Sequence, residues 1–271
     1  MDFGVSVPSA WAAKRIVEIG LAADKIGLDF FLTTDHYLSP STNTSSDAWT
    51  VLASIATGTK RIRLGTCVTP IPLRPPPILA KIVATVDQLS DGRVILGVGA
   101  GWNKHEFTAY STWDPDSVRV DKTLEGIKLM MKLWTADTPF DFQGKYYRVE
   151  NAILEPKPVQ KPHPPLWFGT IGSRMLKIAS KYADAWLPLV TAEFSTIDMY
   201  EYVISTLRQH EAKLRRQQPV KIKFNGTIKD ISDKIEIYVK MGCDGAILVR
   251  TPYEEIISAM RQLADIAASY R

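Results

Sequence analysis

LGTCVTP at residues 64–70 decides how this chain folds, read beside TTDHY at 33–37 and LGVGAGW at 96–102. Each stretch closes a short apolar run and ends in small or polar residues. Runs that are apolar throughout, without polar alternation, suit strands buried on both faces, as in a parallel sheet. Three such strand ends within the first 102 residues predict one pocket at one rim of a parallel barrel. A (β/α)8 barrel builds its active site from the C-terminal ends of its strands.

The same rhythm continues outward from these stretches. Strands are expected at 3–7, 29–33, 62–68, 93–98, 166–169, 185–189, 221–224 and 245–249. Helices are expected at 12–27, 47–57, 75–89, 118–134, 173–182, 194–216, 232–241 and 253–270. In the first helix Ile16, Ile19, Ala23 and Ile26 recur at helical spacing, and Gly27 is a stop. Ser45 or Ser46 is the expected cap of the second helix, and the prolines heading the third fit a first turn. Eight strand–helix units predict an α/β chain folded as a (β/α)8 TIM barrel. A doubly wound open sheet shows the same alternation. The count of eight, and the lack of a GxGxxG fingerprint at the first βα turn, favour the barrel.

The rhythm breaks between 103 and 165. A hairpin arm is expected at 140–149, turning at Gln143 and Gly144, and five prolines crowd 155–165, where regular structure cannot form. Residues 1–271 therefore read as a single barrel domain with 103–165 inserted around the fourth helix. A length of 271 residues suits one such barrel.

The charge balance is mild, with 33 basic against 29 acidic residues and a net charge of +4. The densest basic run, KLRR at 213–216, lies on a helical pattern and reads as a solvated face, so no nucleic-acid partner is expected. A mildly basic surface still favours an anionic ligand. Cys67 and Cys243 are far apart and no CxxC or Cys/His cluster exists, so neither a metal site nor a disulfide framework is indicated. Residues 1–30 carry no leader pattern and no run is apolar enough to span a membrane. A reduced, cytoplasmic compartment is expected.

The candidate site residues follow from position. His36 comes directly after the second strand, either as a hydrogen-bond donor and proton carrier at the mouth or as a loop histidine with a structural bond. Cys67 reads as a small buried hydrophobe rather than a nucleophile. Gly97, Gly99 and Gly101 alternate at the end of the fourth strand, clearing one face for a ligand or for tight rim packing. GTIGSR at 169–174 opens a helix, where backbone N–H groups with Ser173 and Arg174 suit a phosphate; a plain capped helix is the other reading. Trp49 and Trp102 are candidate pocket walls, whereas Trp134, Trp167 and Trp186 are expected in the core. The carboxylates show no pairing in sequence.

Together these motifs resemble the luciferase-like flavin and deazaflavin oxidoreductases, a (β/α)8-barrel superfamily. The resemblance rests on Thr34, Asp35 and His36, on GTCV at 65–68, GVGAGWN at 97–103, FQGKYY at 142–147, PHPPLW at 162–167 and GTIGS at 169–173. It covers nearly the whole chain and is nearest to the branch that uses coenzyme F420, the methylenetetrahydromethanopterin-reductase-like enzymes. The resemblance implies hydride transfer at C5 of the deazaflavin, with His36 near the reacting carbon as the catalytic residue. It implies a non-prolyl cis peptide at Cys67–Val68 backing the ring. The implied cofactor contacts are Asp35, Cys67, Val68, Gly99, Gly101, Trp102, Gly169, Thr170, Ile171, Gly172 and Ser173, the last five around the phosphate. An FMN-dependent monooxygenase of the same superfamily is the alternative, and a non-catalytic flavin-binding barrel is a further one. In the sugar-phosphate members an acidic residue follows the strand-4 glycines directly; here Trp102 stands there and Glu106 comes four positions later. The expected partners are a small-molecule substrate and a second copy of the chain. The homodimer would form through the apolar stretch Trp49, Val51, Leu52 and Ile55, unless that stretch is a core face.

Overall fold

The structure, a computed structural model, describes residues 1–40, 42–189 and 196–270. Its first half runs β1 (Asp2–Val7), α1 (Ala13–Ile26), β2 (Phe30–Thr33), α2 (Ala48–Gly58), β3 (Arg63–Thr66), β4 (Thr69–Pro70), a 3-10 turn (Ile71–Leu73), α3 (Pro76–Leu89) and β5 (Val94–Gly99). Then come α4 (Lys104–Tyr110), α5 (Asp116–Thr135) and the antiparallel hairpin of β6 (Phe140–Gln143) and β7 (Arg148–Ala152). The round is completed by β8 (Leu166–Gly169), α6 (Ser173–Tyr182), β9 (Ala185–Leu187), α7 (Ile197–Leu214), β10 (Lys221–Gly226), α8 (Ile228–Lys240), β11 (Gly245–Leu248) and α9 (Ile256–Ala268).

Parallel pairing passes β1–β2–β3–β5–β8–β9–β10–β11 and returns to β1, so the sheet closes on itself. β3 and β4 share one position in that ring. Both pair with β5, Leu64 opposite Val94 and Thr69 opposite Val98, and the two pieces are interrupted at Cys67–Val68. The architecture is therefore the closed (β/α)8 barrel rather than the open sheet.

Period-two alternation divides the core into two shells. Phe31, Leu64, Leu96, Phe168, Trp186, Phe224 and Leu248 point to the helices. Phe30, Leu32, Ile95, Trp167, Leu187 and Ile247 fill the inside of the barrel, with Cys67 and Val68 packed against them. Each such side chain contributes about 1.5–3 kcal/mol of burial, which is why the strands carry apolar residues on both faces. Trp134, Trp167 and Trp186 are all buried, as expected.

Gly27 ends α1 in the left-handed region at φ 94°, with its N–H on the carbonyls of Ala23 and Asp24. The cap of α2 differs from expectation. Asp47, one residue before the helix, accepts from the Thr50 amide at 2.8 Å. The hydroxyls of Ser45 and Ser46 turn away, to Ser9 Oγ and the Trp11 carbonyl. α8 begins four residues earlier than expected because Thr227 and Asp230 form a capping box. The expected start of the sixth helix at 194 falls outside the described residues.

Within 103–165, α5 occupies the barrel-helix position, packing against α3 and α6. Trp134 Nε1 donates to the Ala80 carbonyl at 3.0 Å. The proline-rich run is pinned to the barrel by Gln160, whose Nε2 donates to Asp87 Oδ1 and the Val94 carbonyl, both at 2.8 Å. Trp49, Val51, Leu52 and Ile55 are only 2%, 4%, 0% and 0% exposed. That face of α2 is therefore spent inside the chain's own core, and offers nothing to a second copy. Among the described residues no helix is long and apolar enough to cross a membrane.

Candidate active site

Four strand ends meet at the C-terminal mouth of the barrel: the loop after β2, the break between β3 and β4, the end of β5 and the loop after β8.

The β2 loop is anchored from behind. Thr34 Oγ1 accepts from the Ser9 amide at 2.8 Å. Asp35 is completely buried, and both its oxygens are taken: Arg74 binds it bidentately at 2.7 Å through each nitrogen, and Thr69 Oγ1 donates at 2.7 Å. Arg74 also reaches Asp47 Oδ2 at 3.1 Å and lies over the Tyr37 ring. Burial acts to lower the pKa of Arg74, but Asp35, Tyr37 and Asp47 outweigh it and hold it above the usual value. Asp35 therefore contributes to the mouth by fixing the loop that carries His36, its carboxylate facing Arg74 and Thr69. Trp49 is not a pocket wall. It lies on the inner face of α2 and donates Nε1 to Thr69 Oγ1 at 3.2 Å, behind the same loop.

His36 faces outward beside this anchor. Its Nδ1 lies 3.1 Å from Glu106 Oε2, and its ring meets Trp102 edge-on, 5.8 Å between centroids. Its other nitrogen, Nε2, has no protein partner among the described residues. Trp102 is 66% exposed, so its indole forms part of the rim. Glu106 comes from α4, a helix not expected from the sequence. Asn103 caps that helix through the Glu106 amide at 3.5 Å. The Glu106 side chain is 1% exposed and also accepts from the amides of Tyr37 and, at 3.3 Å, Leu38.

The β3 end bears the cis peptide bond Cys67–Val68, as the resemblance implies. Val68 is seated between two glycines. A Cβ at Gly99 or Gly169 would come within 2.6 or 2.8 Å of its methyl carbons. Gly101 adopts φ +84°, and a Cβ there would strike the Phe107 ring at 2.4 Å. Burial pushes the Cys67 thiol up to about 12, against the lowering effect of a hydrogen bond with Ser6. A thiol so protonated is no nucleophile at neutral pH.

The β8 loop runs through Gly169, Thr170 and Ile171 into α6. Thr170 is tied down by its carbonyl, which accepts from Trp186 Nε1 at 2.6 Å. Gly172 begins α6 with no side-chain cap, Ser173 is exposed, and no atom lies within 4 Å of where a Gly172 Cβ would be. The first-turn amides are therefore left for an anion. Arg174 does not join them. It pairs with Asp121 and donates to the Ser117 carbonyl at 3.1 Å, fastening α6 to α5.

Arg74 and Thr69 were missed by sequence reasoning, as was Arg119, which supports Gly101 through its carbonyl at 3.3 Å. Glu106 was noted only as the acidic residue four positions after Trp102, not as the partner of His36. The Asn-x-x-Glu pattern at 103–106 is the local signal that would have placed Glu106 on a helix. A valine seat cleared by glycines, an uncapped helix start and a histidine at the rim make a site suited to a flat ring that bears a phosphate.

Barrels with such a mouth form a class of ring-cofactor proteins, and comparison places this one. The chain belongs to the luciferase-like monooxygenase family, whose model matches residues 1–235. Among curated relatives, the phthiodiolone/phenolphthiodiolone dimycocerosates ketoreductase of Mycobacterium kansasii is 32% identical over 63% of this chain and 46% of its own. The F420-dependent glucose-6-phosphate dehydrogenase of Amycolatopsis mediterranei is 32% identical over 64% of this chain and 53% of its own. The FMNH2-dependent dimethylsulfone monooxygenase of Pseudomonas putida is 27% identical over 65% of this chain and 48% of its own. The matched stretches span about half the length of these relatives. Among solved structures, an F420-dependent secondary alcohol dehydrogenase in complex with an F420-acetone adduct superposes with a TM-score of 0.84 at 20% identity, over 97% of both chains. A monooxygenase from Streptomyces bottropensis superposes with a TM-score of 0.85 at 21% identity over the whole of both. Two of these proteins are F420-dependent and one is FMNH2-dependent. The two structures agree with the chain in fold.

Proposed function

We propose that this chain is a coenzyme F420-dependent oxidoreductase that moves a hydride between the deazaflavin and a small organic substrate. The observation that carries this reading is the juxtaposition at the mouth: the Val68 seat cleared by Gly99 and Gly169, beside an imidazole whose Nε2 has no protein partner among the described residues. When bound, the deazaflavin supplies a hydride donor or acceptor at C5. The protein supplies position and electrostatics. Cys67 and Val68 back the ring. Gly169, Thr170, Ile171, Gly172 and Ser173 hold the phosphate at the start of α6. Gly99, Gly101 and Trp102 border the ring and the substrate. His36 holds or moves the proton at the reacting oxygen of the substrate, a role that places it at the transfer centre. The F420-dependent glucose-6-phosphate dehydrogenase, 32% identical to this chain, supports the choice of cofactor.

The FMN-dependent monooxygenase is the second reading, supported by the FMNH2-dependent relative at 27% identity. The deciding experiment is equilibrium binding of F420 and of FMN to the purified apo-protein, followed by fluorescence. A panel of short ketones and secondary alcohols is then added, with F420 absorbance as the readout. Tight F420 binding, weak FMN binding and a substrate-dependent absorbance change are expected. Preference for FMN, with oxygen consumption on reduction, would transfer the chain to the monooxygenase reading. Binding of neither would overturn both.

A further inference from the structure

We infer that Glu106 is the positioning residue for His36: it holds Nδ1 as the N–H of the ring and so leaves Nε2 to face the substrate. The assignment of a task to Nε2 rests on the proposed function, but the tautomer does not.

The argument starts from the donor inventory. Glu106 Oε1 accepts from the Tyr37 and Leu38 amides, and Oε2 lies 3.1 Å from His36 Nδ1. Burial acts to raise the pKa of this carboxyl. The hydrogen bond and charge of His36, with the two amides, outweigh burial and hold it below the usual Glu value. An ionised carboxylate can only accept, so Nδ1 must be the donor. In the neutral ring Nε2 is then the lone-pair nitrogen, turned to the mouth beside Trp102.

The two amides make this hold directional. They can only donate, so they fix Oε1 and prevent the carboxylate from swinging off the ring. Three observations converge on that purpose: α4 places Glu106 beneath the loop, Asp35 and Arg74 lock the loop from behind, and the carboxylate at the junction is 1% exposed. A capping role for α4 alone would not require the side chain to reach 70 positions back to His36.

The same geometry predicts what Glu106→Gln does. The amide oxygen must stay with the Tyr37 and Leu38 N–H groups. The –NH2 then points at Nδ1, donor against donor, and the ring must move its proton to Nε2. The exchange keeps the shape of the side chain and inverts the tautomer. The test is ¹⁵N NMR of the histidine-labelled full-length apo-protein above the pH at which its histidines are charged. The His36 signals are assigned by their loss in His36→Asn. Wild type is expected to show His36 protonated at Nδ1, and Glu106→Gln to show it protonated at Nε2. Wild-type protein protonated at Nε2 would overturn the inference, as would a folded Glu106→Gln that keeps the wild-type tautomer. Should Glu106→Gln fail to fold, the wild-type spectrum still decides. No cofactor is needed, so an Nδ1–H ring in a protein that binds neither F420 nor FMN would overturn the proposed function and leave this assignment standing.

Discussion

The two ends of the barrel each bury a cation against a carboxylate, and they differ in what the carboxylate can still reach. At the N-terminal floor, Lys223 is 0% exposed inside the barrel and its Nζ meets Asp2 Oδ2 at 2.8 Å, while Asp2 itself is 36% exposed. Trp167 and Phe30 lie over the ammonium. Burial lowers the pKa of Lys223, and Asp2 only partly restores it. At the mouth, Arg74 and Asp35 are 5% and 0% exposed. Breaking a pair costs most when the abandoned partner has no water to turn to. The floor pair can lose its cation and leave a hydrated Asp2. The mouth pair cannot, and it holds the loop on which His36 stands.

The largest effect should come from breaking the mouth pair. Arg74→Met leaves Asp35 buried and uncompensated, and should cost about 3–5 kcal/mol in urea unfolding. A loss below about 1 kcal/mol would mean that water reaches Asp35. His36→Ala comes next. It should lower the unfolding midpoint, because the buried Glu106 carboxylate loses its Oε2 partner, and lower kcat by about 10²–10⁴-fold with whichever ketone or alcohol the panel yields. An unchanged kcat would make His36 a structural loop residue. Gly169→Ala drives a methyl into Val68, so overpacking of about 1–3 kcal/mol should appear as a lower melting temperature together with weaker cofactor binding. Normal binding would remove Val68 from the cofactor seat. The smallest change is expected at the floor. Lys223→Met should leave stability within about 1 kcal/mol of wild type, since Asp2 keeps its water. If it proves as damaging as Arg74→Met, the contrast between the two ends fails.

The loop between β2 and α2 shows how far sequence reading reached. His36 was legible because a polar residue directly after a buried strand lies at the barrel mouth wherever the rest of the chain goes. Its neighbours were not. Arg74 lies 39 positions from Asp35 and Glu106 70 positions from His36, and no periodicity links such distances. Trp49 looked like a pocket wall because an aromatic ring near a site suits a ligand. It proved to be core because the inner face of α2 had to be filled. Asp47 displaced Ser45 and Ser46 as the cap because the helix began one residue later than the hydroxyls could serve.

What the sequence determined by itself was the strands, their number, their alternation with helices and the glycines at the mouth. Those are local consequences of burial on two faces and of missing side chains, and they are written in consecutive residues. Only the tertiary structure decided which charges meet. Closure of the ring brings β2, the β3–β4 break, α4 and the approach to α3 to one rim, where polar groups deprived of water must find partners. The partners of Asp35 and His36 were chosen by that shared lack of solvent, which no stretch of sequence records.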